Sequence, residues 1–282
     1  MGRIMKIIAE MCQNHNGKKQ VLQKMVEVAS KSGADICKIQ TIKARDLIYW
    51  EEFEKFRPYE KEYERLKSLE LSIDDEKRFV DVCYANGVTP MTTIFNPRDW
   101  ERFNDIGYSL LKVSGYSIGK LLPELKHYNF NHVYISTSSK TLKELQKVKD
   151  VLKKHDISED RYTILNCTCI YPTPLEKLNL QNINYYRDVL GFKNVGLSDH
   201  SNPYEDNLLS SKLAIFQGID ALERHFTILK PKETRDGKVS INPPMLTELS
   251  RFSRLTKEQQ YEELNEFNKK QKFNHHYYRN RF

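Results

Sequence analysis

Asn194-Val195-Gly196-Leu197-Ser198-Asp199-His200 and Ile219-Asp220-Ala221-Leu222-Glu223-Arg224-His225 share one plan. Each is a short apolar run followed by polar residues that end in histidine: 194–197 leads to His200, and 219–222 leads to His225. The runs read as buried strands. In a barrel or a doubly wound sheet, residues just past a strand's C-terminal end face the active site. Two imidazoles delivered there by neighbouring strands can share one divalent metal. A hydrogen-bonded structural role is the alternative for either histidine. Two placed alike, with Asp199 and Glu223 nearby, bring the two readings level.

Outward from these stretches the chain alternates. Apolar runs at 6–9, 35–39, 88–92, 109–113, 132–136 and 162–167 read as six further strands. Between the strands, segments with helical spacing fall at 18–32, 73–86, 97–105, 120–127, 142–155, 181–189 and 206–217, and a last helix starts at Met245. Ser72-x-x-Asp75 is a capping pattern, and Gly33 and Gly87 stand where helices stop. Strict alternation calls for a parallel sheet with right-handed crossovers. Eight repeats in about 250 residues is the size of a (β/α)8 barrel. An open doubly wound sheet is weakened by the lack of a Gly-rich phosphate loop after the first strand. The predicted organisation is a barrel over 1–250 and a charged helical tail over 251–282. The charged, aromatic segment 43–71 is expected as a loop with a short helix over the barrel mouth.

With 39% hydrophobic and 29% charged residues in 282, the composition is that of a globular chain. No apolar run approaches membrane-spanning length, and no secretory leader is evident, so a cytoplasmic protein is expected. Five cysteines without a CxxC pair fit reduced thiols. The net charge is +7, of which residues 251–282 carry +4. A basic tail with His275, His276, Tyr277 and Tyr278 raises nucleic acid or anionic lipid as a partner. A solvated helix, or packing on a partner subunit, is favoured over either.

Collected at the strand ends are Glu10, Lys38 with Gln40, Thr92 with Thr93, Lys112 with Ser114, Ser136 with Thr137, Thr168, His200 and His225. A barrel makes these one ring. Lysines and hydroxyls suit a phosphate or carboxylate ligand, and histidines suit a transition-type divalent ion. A lone carboxylate serves as a general base or a third metal ligand.

Residues 8–17, from Ile8-Ala9-Glu10 to His15-Asn16-Gly17, resemble the opening motif of the sialic acid synthase family. Residues 33–40, with Lys38 and Gln40, resemble its second-strand motif. The likeness continues through Cys167-Thr168-Cys169-Ile170-Tyr171-Pro172-Thr173-Pro174, Asn179-Leu180, Gly196–His200 and Leu222–Thr227. The resemblance implies a (β/α)8 barrel that condenses phosphoenolpyruvate with an N-acyl hexosamine such as N-acetylmannosamine, releasing phosphate. It implies a divalent ion, manganese in most members with magnesium or cobalt as alternatives, and a homodimer. By position, it makes His200 and His225 the metal ligands and Glu10 the carboxylate beside metal and aldehyde. Lys38, Thr93, Lys112, Ser136 and Ser198 become phosphoenolpyruvate contacts, with Lys38 and Lys112 catalytic. Gln40, Tyr171 and Asp236 fall on the sugar side.

Three departures from the pattern stand out. The family's C-terminal antifreeze-like domain, which lends an arginine to the sugar site, has no counterpart before Phe282, so a separate chain carrying it, or Arg279 or Arg281 of a neighbouring tail, is a candidate cover. After Lys112 the family has two residues, Ser-Gly and an acid; here Val113-Ser114-Gly115-Tyr116-Ser117 is one shorter and lacks the acid, though Ser114 is kept as a substrate contact. The usual Gly-Pro-Asp-His reads Thr234-Arg235-Asp236-Gly237, and Cys169 replaces Asn or Ser. Two alternatives therefore stay open: condensation with a different aldehyde, and a catalytically weak barrel that partners a full-length synthase.

Overall fold

A computed structural model describes residues 5–138, 140–266 and 269. Eight strands close into one parallel barrel in sequence order: β1 (Lys6–Cys12), β2 (Ile36–Gln40), β3 (Thr89–Ile94), β4 (Leu110–Val113), β5 (His132–Ser136), β6 (Tyr162–Cys167), β7 (Val195–Asp199) and β8 (Ala221–His225). Closure is made by β1 on β8, with Glu10 opposite His225. The helices are α1 (Lys19–Lys31), α2 (Tyr59–Lys67), α3 (Ile73–Ala85), α4 (Trp100–Ile106), α5 (Ile118–Leu121), α6 (Leu142–Lys154), α7 (Gln181–Asp188), α8 (Pro203–Asp206), α9 (Leu209–Phe216) and α10 (Pro243–Ser253). Among the described residues no helix is long and apolar enough to cross a membrane.

Successive side chains on a strand point to opposite faces, so each strand has one inward parity. A small apolar plug of Ile8, Ile36, Met91, Tyr134, Leu165 and Ala221 fills the barrel's lower interior. Two residues further along each of these strands stand Glu10, Lys38, Thr93, Ser136, Cys167 and Glu223, all of which line the cavity above the plug. The opposite parity faces the helices and builds the main core, including Ala9, Cys37, Ile39, Leu111, Ile135, Ile164 and Leu222. Ser72 and Asp75 form the predicted capping box at the start of α3.

Several boundaries differ from the sequence expectation. The strands β7 and β8 run on to Asp199 and His225, so His225 closes its strand instead of following it. Polar residues can continue a strand here because each finds a buried partner. The helix expected over 206–217 is broken at Asn207 and Leu208, both left-handed, with φ of 51° and 65°. The Asp206 carboxylate accepts from the Leu208 and Ser210 N–H groups and starts α9 afresh. The helix expected over 120–127 is the four-residue α5 followed by a 3-10 turn, Leu122–His127, which has Pro123 near its start. The 97–105 helix opens as a 3-10 turn, Pro97–Asp99, before α4.

The 43–71 segment holds two 3-10 turns and α2. It docks beside the end of β3, through Asn96 on Asp46 (2.9 Å) and Arg102 on the Leu71 carbonyl (2.9 Å). None of its residues lines the central cavity, while Arg65 donates to Gln13 just past the end of β1, so the segment sits at the rim on the β1 side. Residues 257–266 are helical. His275, His276, Tyr277, Tyr278, Arg279 and Arg281 lie outside the described residues.

Candidate active site

The barrel's C-terminal mouth holds a cavity of about 190 Å³. Eleven of the twelve residues to which the sequence resemblance gives a catalytic, substrate or metal role line it: Glu10, Lys38, Gln40, Thr93, Lys112, Ser114, Ser136, Tyr171, Ser198, His200 and His225. The twelfth, Asp236, stands just behind, 3.6 Å from Nδ1 of His225. Three members of the expected ring have the wrong parity or lie past the strand. Thr92 contacts Thr41 on the helix side (2.9 Å), Thr137 accepts from the Cys167 N–H (3.2 Å), and Thr168 donates to the Lys177 carbonyl (2.9 Å). The sixth strand contributes Cys167 instead.

Charge is balanced inside the cavity. The Lys38 ammonium contacts the Glu10 carboxylate, donates to Thr93 (3.0 Å), and lies 3.4 Å from Glu223. Lys112 donates to Glu223 at 2.5 Å, and Ser198 does so at 2.7 Å. All four ionisable groups are nearly inaccessible to solvent. Burial alone pushes Glu223 up, but the ammonium groups of Lys112 and Lys38 outweigh it and hold the carboxyl well below its usual range. For Lys38 burial dominates and brings the ammonium down to about 7, Glu223 pulling upward and Lys112 reinforcing the fall. Glu223 is not among the site residues that the sequence selects. Its parity, two residues before His225 on β8, is the signal that identifies it.

The histidines are neutral. Burial lowers His200 to about 4, against the upward pull of the Thr168 carbonyl. Burial, then His200 and Lys38, hold His225 well below its usual value. Their rings lie 5.2 Å apart. His200 has both nitrogens engaged: Nδ1 with the Thr168 carbonyl (3.1 Å) and Nε2 with the Tyr171 hydroxyl (3.0 Å). His225 Nδ1 is buried without a hydrogen-bond partner. Neutral imidazoles beside carboxylates fit a divalent cation, and this unsatisfied nitrogen is the atom that requires an explanation. Asp199, which the sequence places near the histidines, faces outward and pairs with Arg224 at 2.7 Å.

The rim adds residues that sequence reasoning does not select: Phe95, Tyr116, Ser138, Cys167 and Cys169. Gly115 is required where the chain passes Ser138, because a Cβ there would meet the Ser138 carbonyl oxygen at 2.1 Å. Of the first motif, only Glu10 reaches the cavity. Asn14 donates to the Phe226 carbonyl and to Ser240 (both 2.9 Å), and so ties β1 to the chain after β8.

A closed barrel whose C-terminal mouth gathers buried lysines, carboxylates and neutral histidines is a barrel enzyme. Residues 25–264 match the model described as the NeuB family, and the chain belongs to that family. Over 250 residues it is 29% identical to N,N'-diacetyllegionaminic acid synthase of Campylobacter jejuni, covering 85% of this chain and 72% of that one. The synthase of the same name from Legionella pneumophila is 31% identical over 253 residues, covering 86% and 69%. A sialic acid synthetase structure from Leptospira borgpetersenii superposes with a TM-score of 0.77 at 22% identity, covering 88% of this chain and 82% of that one. The chain is thus an enzyme of a family of synthases that form nonulosonic acids.

Proposed function

We propose that this barrel condenses phosphoenolpyruvate with an N-acyl hexosamine to give a nonulosonic acid and phosphate. The observation that carries the reading is the convergence of Lys38, Lys112, Thr93, Ser136 and Ser198 on one cavity with two neutral histidines at its side. Lysines and hydroxyls are the donors that a phosphate and a carboxylate need. The C2=C3 π electrons of phosphoenolpyruvate form the new bond from C3 to the aldehyde carbon, water adds at C2, and the C2–O bond to phosphate breaks as the C2 hydroxyl gives its proton to the departing phosphate. Lys38 donates the proton that the new alkoxide takes. Glu10 accepts the proton of the added water and, in contact with Lys38, returns it. Lys112 and the hydroxyls hold the phosphate and carboxylate in line, so that positioning supplies much of the rate. His225, with His200 beside it, would hold a divalent cation, which would supply Lewis-acid polarisation of the aldehyde. The five free thiols suit a reducing compartment, the cytoplasm.

The acceptor side favours a second reading, a different aldehyde. Tyr116, at 71% exposure, occupies the rim where the family pattern that the sequence resembles has an acid, and Cys169 joins it. The experiment is phosphate release from phosphoenolpyruvate across a panel of N-acyl hexosamines and unsubstituted aldoses, with a divalent ion present. Release that depends on one N-acyl sugar supports the first reading. Release with an unsubstituted aldose alone establishes the second.

Glu223 occupies the lysines that an anionic substrate needs. Glu223→Gln is expected to tighten phosphoenolpyruvate binding by on the order of tenfold while lowering kcat, because one opposing charge is removed in a low-dielectric site. Titration calorimetry without acceptor checks it. Weaker binding in a variant that still melts as wild type would show that Glu223 organises the lysines and does not compete with substrate for them.

A further inference from the structure

Cys12 sits at an abnormal point of β1. The pairing of β1 with β2 slips between Glu10 and Cys12, and Cys12 takes a left-handed φ of 44°. Side chains other than Gly, Asn and Asp seldom adopt this conformation. The residue is buried, and its N–H is held by Glu10 Oε1 at 2.6 Å. Its sulfur, a ring nitrogen of His225 and a carboxylate oxygen of Asp236 all lie within 4.8 Å of one another. Among the described residues, this is the one cluster of three such donors that could hold a metal. His225 is 5% exposed, and its Nδ1, which faces Asp236, has no hydrogen-bond partner.

We propose that Cys12 is a ligand, together with His225 and Asp236, of the divalent cation in this site, and that its thiolate biases the site toward zinc, cobalt(II) or iron(II) over manganese and magnesium. The proposal rests on the metal-assisted reading above and names the ion class that reading leaves open. Sulfur, nitrogen and oxygen donors converge here from β1, β8 and the loop after β8, and of the three residues His225 also lines the cavity. Soft thiolate donors select for thiophilic ions, whereas manganese and magnesium favour oxygen. Without a cation, burial and the neighbouring Asp236 carboxylate keep the thiol protonated. On binding, the cation takes the place of that proton, which leaves to solvent. The strained backbone at Cys12 fits a position over-determined by its surroundings for a purpose other than filling space. Asp236, which the resemblance places on the sugar side, serves the ion instead.

The test is a cobalt(II) titration of the chelator-stripped full chain. It reads the visible ligand-field bands together with the near-ultraviolet thiolate-to-cobalt charge-transfer band. The wild type should show both. Cys12→Ser should keep the visible bands and lose the charge-transfer band, and a Cys167→Ser/Cys169→Ser variant should keep both. In competition assays Cys12→Ser should lose zinc affinity by about tenfold or more and manganese affinity by less than about threefold. Cys12→Gly should behave like Cys12→Ser, and glycine tolerates the left-handed backbone, so a folding defect is avoided. Visible bands without a charge-transfer band in the wild type would overturn thiolate ligation and leave the metal reading standing. Ligation by Cys12 is likewise overturned if the band survives Cys12→Ser and vanishes in the Cys167/Cys169 variant. Absence of cobalt binding by either signal would sink the metal reading and the proposal together.

Discussion

Glu10→Gln is expected to lower phosphate release by about three orders of magnitude with little change in Tm. Glu10 is 1% exposed, with one oxygen on the Lys38 ammonium and the other accepting the Cys12 N–H. Glutamine preserves the shape and still reaches the Cys12 amide through its carbonyl. What disappears is the charge and the proton acceptor. General acid–base catalysis by a placed group contributes about 10²- to 10⁴-fold, which sets the expected loss. Lys38 keeps Glu223 at 3.4 Å in the variant, so the fold is not left with an unpaired buried ammonium. The measurement is kcat and KM for phosphate release, paired with a melting curve. Loss of less than about tenfold in kcat would remove Glu10 from the proton pathway.

The second large effect is on stability. Arg224→Ala should cost about 3–5 kcal/mol, because it strands a buried carboxylate. Arg224 and Asp199 are 1% and 0% exposed and meet at 2.7 Å. Asp199 also accepts from the Ser201 N–H and from the hydroxyls of Ser210 and Ser211, at 2.7–2.8 Å. Arg224 in turn donates to the Ser201 hydroxyl (2.9 Å), so the pair fastens the ends of β7 and β8 to α9. Burial pushes Asp199 upward, but the Arg224 guanidinium and these donors prevail and bring it to about 2. The folded value lies below the unfolded one of about 3.9, so this stabilisation is present above that pH and is lost as pH falls through about 2. Urea unfolding at pH 7 reads the variant's loss. A change under about 1 kcal/mol would mean that water reaches Asp199 when the arginine is removed. An Arg224→Met/Asp199→Asn double variant should recover part of the deficit, since the stranded charge is gone while the amide oxygen still accepts from the Ser201 N–H.

The barrel is legible because eight apolar runs alternate with helical segments, and each run corresponds to a strand. Strand ends are less legible. Charged residues inside a barrel look like loop in sequence, so the apolar run of β8 stops at Leu222 although the strand continues through Glu223, Arg224 and His225. Most cavity residues can be identified, yet taking two adjacent residues per strand end admits Thr92 and Thr137, which face the helices. Counting by two from the apolar plug excludes them and selects Glu223 and Cys167. The same count runs from Ile8 through Glu10 to Cys12, but the pairing slips between the last two, so parity no longer says which way the Cys12 side chain faces. Asp199 reads as a neighbour of the site and proves to be half of the Arg224 pair. Nothing in the local sequence distinguishes an acid that faces the cavity from one that faces the helices until the parity is set.

In β8, consecutive residues serve opposite sides of the barrel wall: Glu223 on Lys112, Arg224 on Asp199, His225 beside Asp236. The strand therefore behaves like a reading frame. Inserting or deleting one residue upstream within it would turn the guanidinium into the cavity and the carboxylate and imidazole into the helical layer, so chemistry and stability would fail in a single event. Connections outside the strands carry no such phase and tolerate changes of length more readily. Length variation among homologous chains should accordingly stop at the first residue of β8 and resume only after its last.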